Sequence, residues 1–267
     1  MSLNFFSTSN SNQIAYSIEG EGSWLVLSHS LASNMDMWKP QIPLLSQHFK
    51  ILRFDTRGHG QSSATADPYT LDELAQDVFE LFQYLEIKKT HWIGLSMGGM
   101  IGQTLALKFP NLFESLVLAD TTSKRPENAK QMWGERIAKA KAEGMAAMVD
   151  STLKRWFDED FRATNFSIIQ EVAHGIQSTS VSGFAGCCAA ISDINNFDRL
   201  QEITCPTLIM VGERDHGTPP QMAREMKEKM PAADYYEIPK AGHISNIEQP
   251  IIFNQHLTNF YRKHRFL

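Results

Sequence analysis

The sequence predicts an α/β fold in which a mostly parallel sheet is flanked by helices and carries an inserted helical cap. Short apolar runs alternate with amphipathic patterns early and late in the chain, as in parallel sheets covered on both faces. Between them, residues 123–199 show helical patterns rich in Ala, Met, Lys and Trp without a strand pattern. We therefore expect residues 1–122 and 200–267 to form one core and residues 123–199 to form the cap.

The helices and strands of the first core part are predicted from the spacing of apolar residues, from helix-capping residues and from residues that end helices. Thr70 is a good N-cap for the helix at 71–85, and Pro110 ends the helix at 97–109. Strands are predicted at 13–18, 24–28, 50–54, 91–94 and 115–119, and a further helix at 37–47.

The second core part resumes the alternation. Its predicted elements are a strand at 207–211, a helix at 221–230, a strand at 235–238 and a last helix from about Pro250, which suits the first helical turn.

Composition narrows the function classes. The formal charge of −5, without runs of Lys or Arg, gives no basis for binding nucleic acid or an anionic membrane. No stretch approaches the roughly 20 apolar residues that span a bilayer, and the first residues lack a signal-peptide pattern, so the cytoplasm is expected. Adjacent Cys187 and Cys188, with Cys205, fit neither a disulfide framework nor a zinc site, which favours reduced thiols.

The most informative motif is Gly94-Leu95-Ser96-Met97-Gly98, where a predicted buried strand passes into a helix. On such a turn a serine hydroxyl projects above the sheet, and the glycines allow strand and helix to pass close together. The motif predicts a nucleophilic Ser96 rather than a chance glycine-rich turn. The helix start makes the Met97 N–H a candidate oxyanion donor, and the loop after strand 24–28 offers the Leu31 N–H as the second.

A nucleophilic serine needs a base and an acid, in the chain order serine, acid, histidine. Asp215 follows a buried strand and His243 lies between the last strand and the last helix, so we predict that His243 takes the serine proton and Asp215 orients it. Asp120 and Glu213 are rival acids. Of the other histidines near the site, His29 and His59 are better explained as hydrogen-bonded loop organisers, and His216 as a pocket wall or a surface group.

No His-x-x-x-His or carboxylate–histidine cluster at ligand spacing is present, so neither a metal nor another cofactor is predicted.

Further sequence blocks carry a family resemblance. They are Ser28-His29-Ser30-Leu31, Met37-Trp38, the run 52–60 with Ser62-Ser63, the motif around Ser96, the cap blocks Trp133, Arg136-Ile137, Glu143-Gly144-Met145, Arg155-Trp156-Phe157 and 186–190, and finally Thr218-Pro219-Pro220 and His243-Ile244-Ser245-Asn246. With these, the chain resembles the α/β-hydrolase superfamily and, within it, the 3-oxoadipate enol-lactonases. The resemblance implies an α/β-hydrolase fold and opening of a lactone ring. The chain departs from that family's pattern at His29 and Ala32, where Asn and Gly are usual, and at Ile247, where an aromatic is common.

The implied substrate carries a carboxylate, which would need a cation in the pocket. Arg136 and Arg155 are candidates, with Trp133 and Trp156 as apolar walls; solvent-exposed helix charges are the alternative for the arginines.

Methionines of the cap and the nearby loops could instead favour an acyl chain, although core filling explains most of them. They are Met35, Met37, Met97, Met132, Met145 and Met148.

The predicted partner is therefore a small lactone or ester. An N-acyl-homoserine lactone hydrolase, a general carboxylesterase, a cofactor-free peroxidase, a carbon–carbon hydrolase and a non-enzymatic ligand-binding protein remain alternatives, because one fold hosts several functions.

Overall fold

A computed structural model describes residues 2–267 and confirms the predicted α/β fold. One eight-stranded sheet has the order β1-β2-β4-β3-β5-β6-β7-β8. Its strands are β1 Asn4–Ser7, β2 Gln13–Glu19, β3 Ser23–Ser28, β4 Phe49–Phe54, β5 Thr90–Leu95, β6 Phe113–Ala119, β7 Thr207–Gly212 and β8 Asp234–Ile238. The two N-terminal strands pair antiparallel, whereas β3 to β8 run parallel.

Helices cover the sheet and fill the segment between β6 and β7. Within residues 2–267 the α-helices are α1 Ile42–Leu45, α2 Leu71–Tyr84, α3 Met97–Lys108, α4 Ala129–Glu143, α5 Val149–Trp156, α6 Glu159–Thr164, α7 Phe166–Ser178, α8 Val181–Ser192, α9 Pro220–Lys229, α10 Ser245–Glu248 and α11 Pro250–Lys263. None of the helices in this part of the chain is long and apolar enough to cross a membrane.

Central strands β5 and β7 are buried along their whole length, which explains their nearly continuous apolar sequences. Because β5, β6 and β7 are parallel neighbours, the loops after them open at one edge of the sheet. Ser96, Asp120 and Asp215 follow these three strands, so the topology alone brings them to one region.

The helix predicted at 37–47 was wrong as a single element. The chain instead forms a 3-10 turn, Met35–Trp38, followed by the short helix α1. Pro40 explains the break because it has no N–H to continue a helix, and Pro43 sits in the first turn of α1, where proline is tolerated. Strand β1 was not predicted; it is an edge strand whose residues alternate between half-buried and exposed.

The inserted segment contacts the core through α8. A Cβ placed on Gly183 of α8 would lie 2.4 Å from the Cα of Gly58, in the loop after β4. This backbone approach brings the inserted helices directly over the loops at the carboxyl edge of the sheet.

Candidate active site

Ser96 lies on a strained turn between β5 and α3. Its φ of 54° and ψ of −115° are unusual for a residue with a side chain, and such strain is characteristic of functional turns. The flanking glycines are required sterically, since a Cβ on Gly98 would lie 2.1 Å from the carbonyl oxygen of Ser28 and one on Gly94 would lie 2.2 Å from that of Gly98. The turn therefore presents the Ser96 hydroxyl at the end of the strand, as the motif predicted.

Ser96, His243 and Asp215 form one continuous hydrogen-bonded chain. The His243 Nε2 lies 2.9 Å from the Ser96 Oγ, and its Nδ1 lies 2.8 Å and 3.0 Å from the two carboxylate oxygens of Asp215. Asp215 is held in turn by the N–H groups of Gly217 and Thr218 and by the Thr218 hydroxyl, at 2.6, 2.9 and 2.8 Å. This arrangement can move a proton from a serine to a histidine and stabilise the imidazolium.

The electrostatics of His243 agree with that geometry. Complete burial lowers the pKa of His243, but the charge and hydrogen bond of Asp215 outweigh it and raise the pKa above the ordinary value. The raised pKa means that this environment stabilises the protonated imidazolium form of His243 relative to a free histidine.

The rival acids point elsewhere. Asp120 is fully buried, but its carboxylate contacts the N–H of Gly212 and the side chain of Ser245 rather than His243. Glu213 is exposed and accepts a hydrogen bond from the Lys240 N–H.

The candidate oxyanion donors lie beside Ser96. Leu31 lines a cavity next to Ser96, whereas Met97 is the buried residue that follows Ser96 in the chain. Within residues 2–267, no hydrogen bond uses the N–H of Leu31 or of Met97. Both amides are thus free to donate to a ligand.

Two buried histidines hold the loop that carries Leu31. The His29 Nδ1 lies 2.7 Å from the Ser30 carbonyl oxygen. Because this carbonyl and the Leu31 N–H belong to the same trans peptide group, the Leu31 N–H points away from His29. The His59 Nε2 accepts from the Ala32 N–H at 2.9 Å. Burial, together with His59, lowers the pKa of His29 to about 3, and burial lowers the pKa of His59 to about 4, so both rings are neutral near pH 7. His216, by contrast, is exposed.

The cavity encloses about 460 Å³, including its open mouth, and all four predicted cap residues line it. These are Trp133, Arg136, Arg155 and Trp156. Thr152, Ile191 and Met100 line it as well and were not predicted from sequence. Met100 and Ile191 lie on α3 and α8, whose sequences are apolar on nearly all sides, so no face of either helix indicated the cavity before its packing was known.

Arg136 and Arg155 are half-buried, and neither forms an ion pair with a carboxylate among residues 2–267. Arg136 lies 5.4 Å from the Trp133 ring and 5.7 Å from the Phe184 ring, and its Nε has no hydrogen-bond partner in this part of the chain. Burial and the neighbouring Arg155 lower the pKa of Arg136, and burial lowers that of Arg155. The cavity therefore carries two cations near Ser96 that form no ion pair within residues 2–267, although the charge of Asp215 partly offsets the lowering of the Arg155 pKa.

None of the methionines considered as an acyl-chain lining faces the cavity. Five are buried in the hydrophobic core: Met35, Met37, Met97, Met145 and Met148. Met132 lies near Arg155, with its sulfur 3.7 Å from a guanidinium nitrogen.

Among residues 2–267, no three histidine, cysteine, aspartate or glutamate side chains come together as a metal site would require.

Known proteins share this architecture. The α/β-hydrolase fold profile matches residues 23–250. Two 3-oxoadipate enol-lactonases of Acinetobacter baylyi are 34% and 32% identical to the chain, over 86% and 89% of its length and 85% and 88% of theirs. The solved enol-lactonase of Burkholderia xenovorans is 34% identical and superimposes with a TM-score of 0.93, covering 97% of this chain and 100% of that one. The chain therefore belongs to the α/β-hydrolase family and is similar over most of its length to 3-oxoadipate enol-lactonases.

Proposed function

We propose that this hydrolase opens a lactone ring that carries a free carboxylate, a 3-oxoadipate enol-lactone or a close analogue. One observation carries the proposal: the hydrogen-bonded chain Ser96–His243–Asp215 lies at a cavity lined by two arginines that form no ion pair within residues 2–267. The similarity to enol-lactonases supports the same substrate class.

Ser96 acts as the nucleophile. Its Oγ attacks the lactone carbonyl carbon while its proton passes to the His243 Nε2, 2.9 Å away. The carbonyl oxygen becomes an oxyanion that the N–H groups of Leu31 and Met97 stabilise. Because the oxyanion carries more negative charge than the substrate carbonyl oxygen, these donors lower the barrier more than they strengthen substrate binding.

Collapse of this intermediate breaks the ring C–O bond, and the imidazolium of His243 protonates the leaving enol oxygen. The leaving group stays attached to the acyl chain on Ser96 because the ester was cyclic. A water then attacks the acyl carbon while His243 accepts its proton. Collapse of the second intermediate breaks the bond between the acyl carbon and the Ser96 Oγ, His243 returns the proton to that oxygen, and the carboxylic acid leaves. Asp215 keeps its ionic form throughout and fixes the tautomer of His243.

Arg136 and Arg155 bind the substrate carboxylate. Their half-burial strengthens such an ion pair, and an anion between them relieves their mutual repulsion. Trp133 and Trp156 pack against the apolar part of the ring. Residues 123–199 serve as the cap that supplies these four side chains.

The proposal is tested by hydrolysis of a matched substrate panel with wild type and Ser96→Ala. The panel contains an anionic enol-lactone, short- and long-chain acyl-homoserine lactones and a neutral p-nitrophenyl ester. We expect the highest kcat/KM for the enol-lactone and loss of turnover of every substrate in Ser96→Ala, with an unchanged circular dichroism spectrum. Undiminished turnover in folded Ser96→Ala would reject the serine mechanism. A preference for long acyl-homoserine lactones would reject the carboxylate-bearing substrate.

A further inference from the structure

Asp120 is a buried titratable residue that the proposed reaction does not use. It follows β6, the strand between β5, which leads to Ser96, and β7, which leads to Asp215. Its side chain and that of Thr121 reach the three chain segments that carry the proposed catalytic residues. We infer that Asp120 and Thr121 act together as a positioning unit, a pair of residues that fixes those three segments relative to one another. This inference rests on the proposed serine mechanism.

Asp120 joins the acid loop to the histidine loop. Its Oδ1 accepts the N–H of Gly212 at 2.7 Å, at the end of β7 and just before Asp215. Its Oδ2 lies 2.5 Å from the Ser245 Oγ and 3.3 Å from the Ser245 N–H, two residues after His243. One carboxyl group thus spans the two loops whose side chains must meet.

Thr121 holds the nucleophile turn. Its hydroxyl donates to the Ser96 carbonyl oxygen at 2.7 Å, and the Ser96 N–H donates to the Ala119 carbonyl oxygen at 2.9 Å. The end of β6 therefore binds both peptide groups of the strained serine. Thr121 also packs against α3, since a Cβ on Gly99 would lie 2.8 Å from its side chain.

The backbone of Asp120 indicates that this placement is enforced. Its φ of 45° lies in the left-handed region, where a residue with a Cβ is strained. Such strain persists where the surroundings over-determine the conformation, and the Asp120 N–H is fixed to the Met210 carbonyl oxygen at 2.9 Å. Among residues 2–267 no hydrogen bond joins Asp120 to His243, and Asp120 does not line the cavity, so its contacts act on the segments that carry the proposed catalytic residues.

The hydrogen bonds of Asp120 identify its conservative replacement. Burial, followed by the negative charge of Asp215, raises the pKa of Asp120, which favours the protonated form relative to an exposed aspartate. The Ser245 hydroxyl donates to the Asp120 Oδ2, and the Gly212 N–H donates to the Asp120 Oδ1. An asparagine keeps an acceptor for the Gly212 N–H, and its NH₂ group can donate to the Ser245 Oγ without a titratable proton.

The test measures kcat and KM for an enol-lactone or p-nitrophenyl ester in paired variants. Asp120→Ala and Thr121→Val remove the contacts, whereas Asp120→Asn and Thr121→Ser retain them. A misplacement of about 1 Å can lower a rate by about 10²-fold, so we expect Asp120→Ala and Thr121→Val to lower kcat by about 10- to 100-fold with KM within about twofold of wild type. Asn and Ser should restore most of the rate. Ser123→Ala is the matched control, because that buried hydroxyl on the same loop has no hydrogen-bond partner among residues 2–267.

Thermal unfolding of each variant separates positioning from stability. A lower Tm with unchanged kcat in Asp120→Ala and Thr121→Val would overturn the inference, as would Asn and Ser variants no better than the truncations. If Asp120→Ala does not fold, the Thr121→Val and Thr121→Ser pair decides by the same criterion. Ser96→Ala is measured in parallel. If Ser96→Ala keeps its activity, the proposed serine mechanism fails. If Ser96→Ala is inactive but the Asp120 and Thr121 variants have a normal kcat, only the positioning unit is rejected.

Discussion

Arg136 offers the sharpest test of how this enzyme selects its substrate. Its guanidinium is half-buried beside Arg155, flanked by aromatic rings and without a carboxylate partner among residues 2–267. Arg136→Met keeps an unbranched apolar stem over Trp133 and removes the charge. We expect this variant to lose activity specifically toward a substrate that carries a carboxylate.

The magnitude follows from the type of bond removed. A hydrogen bond to a charged group contributes about 1.5–3 kcal/mol, and each 1.4 kcal/mol is a factor of ten. The kcat/KM of Arg136→Met for the anionic enol-lactone should therefore fall by about 10- to 150-fold. A neutral p-nitrophenyl ester gains nothing from the cation, so its kcat/KM should stay within about threefold of wild type.

Steady-state rates on both substrates provide the measurement. Lys139→Met is the matched control, since Lys139 lies on the same helix but is exposed, and its loss changes the net charge equally. Equal losses of Arg136→Met on the anionic and neutral substrates, or an equal loss of Lys139→Met on the anionic one, would refute a local carboxylate site. Tm should not fall in Arg136→Met, because the variant removes a partly desolvated cation that has no carboxylate partner among residues 2–267, while the methionine stem still packs against the rings.

Further predictions concern the base and the buried histidines. Asp215→Asn should lower kcat by about 10⁴-fold with little change in KM, because the wrong tautomer of His243 is then favoured; a loss below tenfold would contradict this role. Because the pKa of His243 is raised, the acid limb of the kcat/KM profile should lie above the ordinary histidine value of about 6.5. Arg155→Met should move this limb to higher pH, since the charge of Arg155 lowers the pKa of His243. A shift of the limb to lower pH would contradict this effect of Arg155. Burial lowers the pKa of the His59 ring to about 4, so this residue contributes stability above about pH 6.5 that is lost as the pH falls toward 4. His59→Gln retains an acceptor for the Ala32 N–H. In urea titrations this variant should lessen the loss of unfolding free energy by about 3 kcal/mol. An unchanged pH dependence of the unfolding free energy would reject this contribution.

Local patterns predicted much of the site. The Ser96 turn could be identified because its requirements are local: a buried strand, a helix start and glycines where a Cβ would collide with backbone. The Thr70 N-cap was equally local, and the structure shows a complete capping box with Glu73.

Contacts between distant segments could not be predicted in the same way. Asp120 and Asp215 both follow buried parallel strands, and the sequence favoured Asp215 only because it follows the penultimate strand. The contact of each carboxyl could not be predicted from that position. The loop conformation after β7 brings Asp215 to His243, while the left-handed turn at Asp120 directs its carboxyl to Ser245. The predicted helix at 37–47 is another case. Its apolar residues have helical spacing, but Pro40 lacks the backbone N–H that would continue the helix, and the element breaks there.

The sequence by itself determined most of the sheet-and-helix order, the serine turn and the residue types of the site, because periodicity and glycine sterics act over a few neighbouring residues. Only the tertiary structure decided that Arg136 and Arg155 line the cavity, that five of the six methionines considered fill the core, and that Asp120 and Thr121 connect three loops. These outcomes depend on the rotation of each cap helix and on packing between residues far apart in the chain. Such long-range packing is set by the whole fold and leaves no short-range pattern in the sequence.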